Sequence, residues 1–201
     1  MTTTNARPRS GRRPGASGTR AAIAAAARVQ FGDVGFDRTT IRSVAAAAGV
    51  DPALVMHFYC SKQQLFVETM ALPFDPAPVV ADLLAGERET IGIRLAHFFL
   101  HAMEDPAVST VLLGRIRAAA SDPEAARLLR DLVPGELVGP LTRELGVDQP
   151  ELRAGLVSSQ LIGFAVARWI VGVEALAALD VERSIAFLGP SLQRFLAGPL
   201  P

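Results

Sequence analysis

One cysteine, one tryptophan, one tyrosine and three histidines in 201 residues leave little material for several kinds of chemistry. Cys60, being alone, excludes an intrachain disulfide and fits a reducing cytoplasm, where the chain is expected to reside. Three scattered histidines with one thiol offer no convergent nucleophile, base or metal set, so neither an enzyme nor a cofactor is expected. His97 and His101 are one helical turn apart, but they share a stripe with Arg94 and Glu104, which reads as a solvated face and not as a metal site. Alanine and leucine dominate over valine, isoleucine, threonine and tyrosine, and no segment alternates polar with apolar residues; strands are not expected. The opening MTTTNARPRSGRRPGASG is basic without an apolar core, unlike a signal peptide. The most apolar stretch, AGLVSSQLIGFAVARWIVGV, has Arg153 before it and Arg168 and Glu174 near its end, and falls short of the ~20 clean apolar residues of a membrane span. No internal repeat is visible.

What is present is uneven. The formal net charge is zero, yet nine basic residues against three acidic ones give the stretch up to Lys62 a charge of +6, leaving an acidic remainder. A basic front and an acidic back suit a nucleic-acid module joined to a regulatory or assembly domain; a solvated basic tail would leave the same trace. Half the residues are apolar, enough for one sizeable core or for a small module plus a larger domain. Residues 1–17, rich in Arg, Gly, Ser, Thr and Pro, read as a flexible basic arm, because they bury too little apolar surface to offset ordering entropy.

From there helical signals follow one another, at about 19–32, 40–47, 52–58, 62–72, 78–85, 87–103, 106–119, 123–145, 150–177 and 181–197. Gly32 and Gly35 end the first, PFDPAP interrupts after Leu72, and Asp105-Pro106, Asp122-Pro123 and Gln149-Pro150 each open a new helix. Pro134 with Gly135, and Gly139 with Pro140, kink or split the helix near 123–145. The fold class is all-α.

The segment TTIRSVAAAAGVDPALVMHFYCSK places two short helices back to back. Thr39 or Thr40 caps the first, Gly49 closes it in a left-handed conformation, and Asp51 caps the second with Pro52 in its first turn. Ala45 to Ala48 carry so little bulk that the two helices can cross closely, as in a helix-turn-helix. Ser61 and Gln64 form an S-x-x-Q capping box for a third helix. Lys62 then falls in that helix's first turn, where the dipole disfavours a cation unless an anion such as a phosphate is bound there too.

On these residues the segment RAAIAAAARVQFGDVGFDRTTIRSVAAAAGVDPALVMHFYCSKQQLF, Arg20 through Phe66, resembles the DNA-binding region of the tetracycline-repressor-like (TetR) family. The features coincide in order: an alanine-rich helix ending in FGDVGF, a TT-x-x-x-V helix, AGV, then SK-x-x-LF. One stretch departs from the family pattern, which reads L-Y-x-H-F before SK. Anchored on AGV and SK, Val55 takes the Leu place, Met56 the Tyr place, His57 the variable place, Phe58 the His place and Tyr59 the Phe place. The resemblance implies that Thr40 and Arg42 approach double-stranded DNA from the second helix, that Pro52, Ala53, Leu54, Met56 and His57 face the major groove, and that Lys62 meets phosphate. Arg42 can fork onto a guanine, while Ala53, Leu54 and Met56 can offer a thymine methyl only apolar contact. Val55, Phe58 and Tyr59 read as core, with the Tyr59 hydroxyl a candidate for a phosphate. The arm RPRSGRRPG either lies in the minor groove or has no DNA role.

The same resemblance divides the chain into the arm 1–17, a helix-turn-helix domain 18–66 and a helical regulatory and dimerisation domain 67–201. It implies a small-molecule effector among the helices of the last, with Leu95, Phe98, Phe99, Ala102 and Met103 as pocket candidates. It also implies a homodimer built on the last two long helices, with Leu156, Leu161, Phe164, Trp169, Leu188, Leu192 and Phe195 at the interface; otherwise these stripes face only their own core. The expected function is a ligand-responsive transcriptional regulator, a repressor released from a palindromic operator by a small apolar inducer, with no membrane partner. A helical interaction or small-molecule-binding protein without DNA binding is the rival reading.

Overall fold

The computed structural model describes residues 16–201, so the basic arm lies outside the described residues but for its last two positions. Among the described residues there is no strand. The helices are α1 (Ala16–Arg38), α2 (Ile41–Ala48), α3 (Pro52–Tyr59), α4 (Lys62–Thr69), α5 (Pro76–Leu84), α6 (Ile91–Glu104), α7 (Pro106–Ala119), α8 (Pro123–Arg130), α9 (Gly139–Glu144), α10 (Pro150–Ala165), α11 (Glu174–Ala177) and α12 (Val181–Ala197). Wider π-helical turns fill Asp131–Val138 and Val166–Val171.

One local device starts four of these helices. Asp51, Asp75, Asp105 and Asp122 each accept a hydrogen bond from an amide in the first turn, from Ala53 at 2.7 Å, Ala77 at 3.0 Å, Ala107 at 2.8 Å and Ala125 at 2.8 Å. In each case the next residue is a proline whose fixed φ already suits the first turn and whose missing N–H costs nothing there. Gln149-Pro150 also opens a helix, α10, but its side chain makes no cap and Gln149 sits in the left-handed region at φ 50°.

Two sequence expectations give way to packing, and a third is met. Gly32 does not end α1: the helix runs through it and breaks only at Gly35, at φ 81°, before closing at Arg38. Gly32 is instead a contact point, because a Cβ there would lie 2.6 Å from the Thr110 methyl on α7. The helix near 123–145 is split as expected: Pro134 removes a backbone donor, and the chain widens into a π turn over 131–138 to accommodate it. Gly139 follows because a Cβ there would stand 2.4 Å from the Pro134 carbonyl. The expected helix 150–177 passes into the π turn 166–171 and ends at Gly172, at φ 71°. Arg168 then folds back to donate to the Leu176 and Leu179 carbonyls.

The apolar residues gather in two clusters. The first joins α1 to α4 around Phe31 and Phe66, whose rings meet edge to face at 5.0 Å, and it also takes in Ala118 of α7 and Ala125 of α8. The second, larger one joins α5 to α12, with α12 laid closely along α6. A Cβ on Gly92 of α6 would lie 2.2 Å from the Gln193 backbone nitrogen, so these two helices touch backbone to backbone. Each fully buried phenylalanine or leucine contributes about 1.5–3 kcal/mol to these clusters.

Over 22 residues, Pro150–Val171 is long and apolar enough to cross a bilayer by length and composition, contrary to the sequence expectation. Near its start Glu151 is exposed, whereas Arg153 is buried and satisfied: it pairs with Asp148 at 2.5 Å and donates to the Phe195 carbonyl at 2.8 Å, pinning α10 to α12. Ala154, Val157, Ser158, Leu161 and Ala165 bury one face of the helix, while only 28% of the stretch is buried within the chain.

Candidate nucleic-acid interface

The α2–α3 corner is fixed by its caps. Thr40, not Thr39, is the N-cap of α2: its hydroxyl accepts from the Ser43 amide and the Ser43 hydroxyl accepts from the Thr40 amide, both at 3.0 Å. This full capping box holds the helix start from both sides. Thr39 is buried and donates to the Gly35 carbonyl at 2.8 Å. Gly49, at φ 67°, closes α2, and Asp51 opens α3 two residues later. Val44 and Ala45 bury against Val55 and Tyr59, so the inner faces of both short helices are spent on the first cluster.

What remains outside is the set read from the sequence. Thr40, Arg42, Pro52, Ala53, Met56 and His57 are exposed, and Leu54 is half-buried. Met56 is 42% exposed, unusual for so apolar a side chain. The Tyr59 hydroxyl, a phosphate candidate in the sequence, instead donates to the Arg20 carbonyl at 3.3 Å from a buried ring.

Lys62 is half-buried at the start of α4. Its Nζ lies 4.2 Å from the Phe36 ring centroid and 3.4 Å from the Asp37 carbonyl, so the end of α1 holds the ammonium near the free amides of α4. The cap there is one-sided: Ser61 accepts from the Gln64 amide at 2.9 Å, while the Gln64 side chain turns away to Glu68 at 3.0 Å, leaving the expected S-x-x-Q box half made. Gln64 and then Arg20, which bonds Glu68 at 2.6 Å, hold the Glu68 carboxyl below its ordinary range.

Sequence reasoning missed Gln30. Its amide bridges α1 to α2, donating to the Ser43 carbonyl at 3.2 Å and accepting from the Ser43 hydroxyl at 2.6 Å. A lone glutamine in an alanine-rich helix gave no signal of that role.

An apolar cavity lies among the helices of the second cluster. Phe98, Phe99, Ala102 and Met103 of α6 line this cavity of about 40 Å³ together with Leu112 and Ile116 of α7, Leu132 and Val133 of the first π turn, and Leu161 and Ile162 of α10. Leu95, expected among them, is fully buried in the second cluster one turn earlier. Leu161, expected at a dimer interface, faces the cavity; Leu188 and Leu192 are likewise buried inside their own chain, because α12 presents them to α6. Leu156, Phe164, Trp169 and Phe195 are half-buried, with Trp169 edge-on to Phe99 at 6.1 Å and to Phe164 at 6.0 Å. His97 and His101 stand 4.2 Å apart on the exposed face of α6, His101 bonded to Glu104 at 2.9 Å. Among the described residues no group of three or more His, Cys, Asp or Glu is placed to hold a metal ion.

Next to the cavity is a vestibule of about 370 Å³ that shares Leu72, Phe74, Pro76 and Leu132 with it and adds Arg115, Asp131 and Glu136. Arg115 of α7 is buried, and its Nε donates to the Met70 carbonyl at the end of α4, at 2.6 Å. Burial lowers the pKa of its guanidinium and the Glu136 charge opposes that shift; arginine stays protonated regardless.

Caps, buried inner faces and an exposed outer face on α3 together define a helix-turn-helix module. A family profile described as "Bacterial regulatory proteins, tetR family" matches residues 23–69, and one described as "Tetracyclin repressor-like, C-terminal domain" matches residues 89–196. The chain belongs to the TetR family of transcriptional regulators, which are DNA-binding proteins and not enzymes. A TetR-family regulator of Streptomyces coelicolor is 33% identical, with 93% of this chain and 99% of that one covered and a TM-score of 0.60. NalD of Pseudomonas aeruginosa, the secondary repressor of the MexAB-OprM multidrug efflux pump, shares the fold at 18% identity, covering 90% of this chain and 98% of that one with a TM-score of 0.67. An uncharacterized HTH-type transcriptional regulator of Mycobacterium tuberculosis is 26% identical over 62% of this chain, a match that spans 58% of that relative's length.

Proposed function

We propose that the chain is a homodimeric repressor that leaves a palindromic operator when a small apolar effector enters the cavity between α6, α7, α10 and the first π turn. The observation that carries this reading is the position of α7. Leu112 and Ile116 of this helix wall the cavity, while its Arg115 and Arg117 hold the carbonyls of Met70, at the end of α4, and Gly32, in α1, of the DNA-binding module. A shift of α7 is therefore felt by α1 and α4 directly.

The cavity of about 40 Å³ is far smaller than the roughly 150 Å³ that accommodates benzene. An effector must open it, and the π turn 131–138, interrupted by Pro134, is the wall best suited to yield. The opened form would be the state that the effector binds better, and a differential affinity of about 3–5 kcal/mol produces a large population shift. SmeT, which shares the fold at 20% identity and a TM-score of 0.62, is known as a complex with triclosan, in keeping with a small-molecule effector here.

For DNA, the exposed set Thr40, Arg42, Pro52, Ala53, Met56 and His57, with Leu54 behind it, makes the base and backbone contacts, and Lys62 meets a phosphate at the start of α4. The dimer forms through the face of α10 and α12 that the chain leaves open. Leu152 is 51% and Phe187 63% exposed, and Gly155, Ser159 and Gly163 form a line of small residues along the open side of α10 against which a partner helix can approach closely. Two copies would set their α3 helices about 34 Å apart, one turn of DNA. Residues 18–66 and 67–201 serve these two tasks, with Ala118 and Ala125 of the larger part completing the core of the smaller.

The test is fluorescence anisotropy with DNA from the chain's own promoter region at graded salt. Expected is tight, salt-dependent binding that a bound effector relieves. Absence of binding at low salt would remove the regulator's proposed operator and favour a helical interaction protein.

A further inference from the structure

Arg115 is 6% exposed, and only its Nε is engaged, by the Met70 carbonyl at 2.6 Å. Its two Nη groups make no hydrogen bond to the described residues, and no carboxylate among them lies within ion-pair distance. Neither Nη is enclosed, so both face the space of the vestibule, where a guanidinium without a protein partner is open to an anion. The side chain lines the vestibule, whose other charges are Asp131, already paired with Arg127 at 2.7 Å, and Glu136. Beyond the shared wall of Leu72, Phe74, Pro76 and Leu132 lies the apolar cavity.

Resting on the effector reading above, we propose that the effector is an amphipathic acid: its carboxylate docks on the Nη groups of Arg115 in the vestibule and its hydrocarbon body displaces the shared wall to fill the cavity. A guanidinium offers two parallel donors that match a carboxylate. A singly charged head fits better than a doubly charged phosphate, because Glu136 and Asp131 share the space. The docking draws Arg115 toward the vestibule and away from the Met70 carbonyl, which loosens the end of α4, the helix whose other end carries Lys62.

The experiment is calorimetric titration of the full chain with octanoate, 1-octanol and octylamine, which share a tail and differ in head group. Octanoate should bind the wild type at least about tenfold more tightly than the alcohol, with the amine weakest. Arg115→Gln should erase the preference of acid over alcohol, and Glu136→Gln should tighten octanoate alone. Equal binding of acid and alcohol by the wild type would overturn the carboxylate anchor and leave the apolar cavity standing; failure of all three to bind would overturn both. If Arg115→Gln does not fold, an acid-to-alcohol ratio unmoved by Glu136→Gln overturns the anchor.

Discussion

Arg117 donates from Nη1 to the Gly32 carbonyl at 2.6 Å, tying α7 to the middle of α1 across 85 residues of sequence. The acceptor is a glycine at the one place where Thr110 of α7 would meet a side chain at 2.6 Å. The helix that walls the cavity is thus fastened to the helix that supports the α2–α3 corner.

Breaking that fastening should separate stability from response. Arg117→Met is expected to lower stability by about 1–2 kcal/mol in urea unfolding, the loss of one charge-assisted hydrogen bond. It should also blunt the effect of an effector on operator affinity. An unchanged effector response would show that α7 signals by another route.

Two basic residues at the DNA face should behave differently. Arg42→Ala is expected to weaken operator binding and relax preference at one base position, a cost of about 1–3 kcal/mol. Lys62→Ala should weaken all sequences alike and reduce the slope of log affinity against log salt by about one. Competition with operators mutated position by position distinguishes them; equal specificity losses would mean that the assignments are reversed.

Glycines that look alike in sequence differ in what surrounds them. Gly92→Ala should destabilise by about 1–3 kcal/mol, since its Cβ would strike backbone atoms of α12 that have no rotamer to yield. Gly155→Ala, where a Cβ meets nothing within the chain, should leave the monomer unharmed or raise helix stability by up to about 1 kcal/mol. Thermal unfolding of dilute protein tests both.

Phe187, the more exposed of the two open apolar residues on α10 and α12, is the sharpest probe of the dimer. Phe187→Glu should give monomers in sedimentation velocity with helical content intact, and should lose tight operator binding with the pairing of recognition helices. A variant that remains dimeric would place the interface elsewhere.

Acid should act through Glu68. Gln64 first and Arg20 second hold its carboxyl below the ordinary value of 4.5, so as pH falls the unfolded chain takes up the proton before the folded one does. Its contribution is complete above 4.5 and is lost as pH drops through the lower folded value. The gap in urea midpoint between wild type and Glu68→Gln should therefore shrink between pH 7 and pH 3; a constant gap would count against the Glu68 contacts.

The α2–α3 corner was legible because its signals are local. A cap, a glycine at positive φ, an Asp-Pro start and a short apolar stripe each act within one helical turn, so Thr40, Gly49, Asp51 and Ser61 could be read where they stand. Gln30 was not legible, because its role depends on Ser43 being brought beside it.

The sequence by itself determined the all-α class, most helix starts and the basic amino-terminal bias, since propensity, capping and charge need no distant partner. Only the tertiary structure decided what covers each apolar stripe. Leu188 and Leu192 look the same in sequence whether they meet α6 or a second chain, and it is the backbone contact at Gly92 that turns them inward and leaves Phe187 outside. In the same way Arg115, one of many arginines in the sequence, became distinctive only when Met70 and the vestibule were folded around it. A periodic pattern says which face of a helix is apolar; the close approach of two backbones says what that face meets.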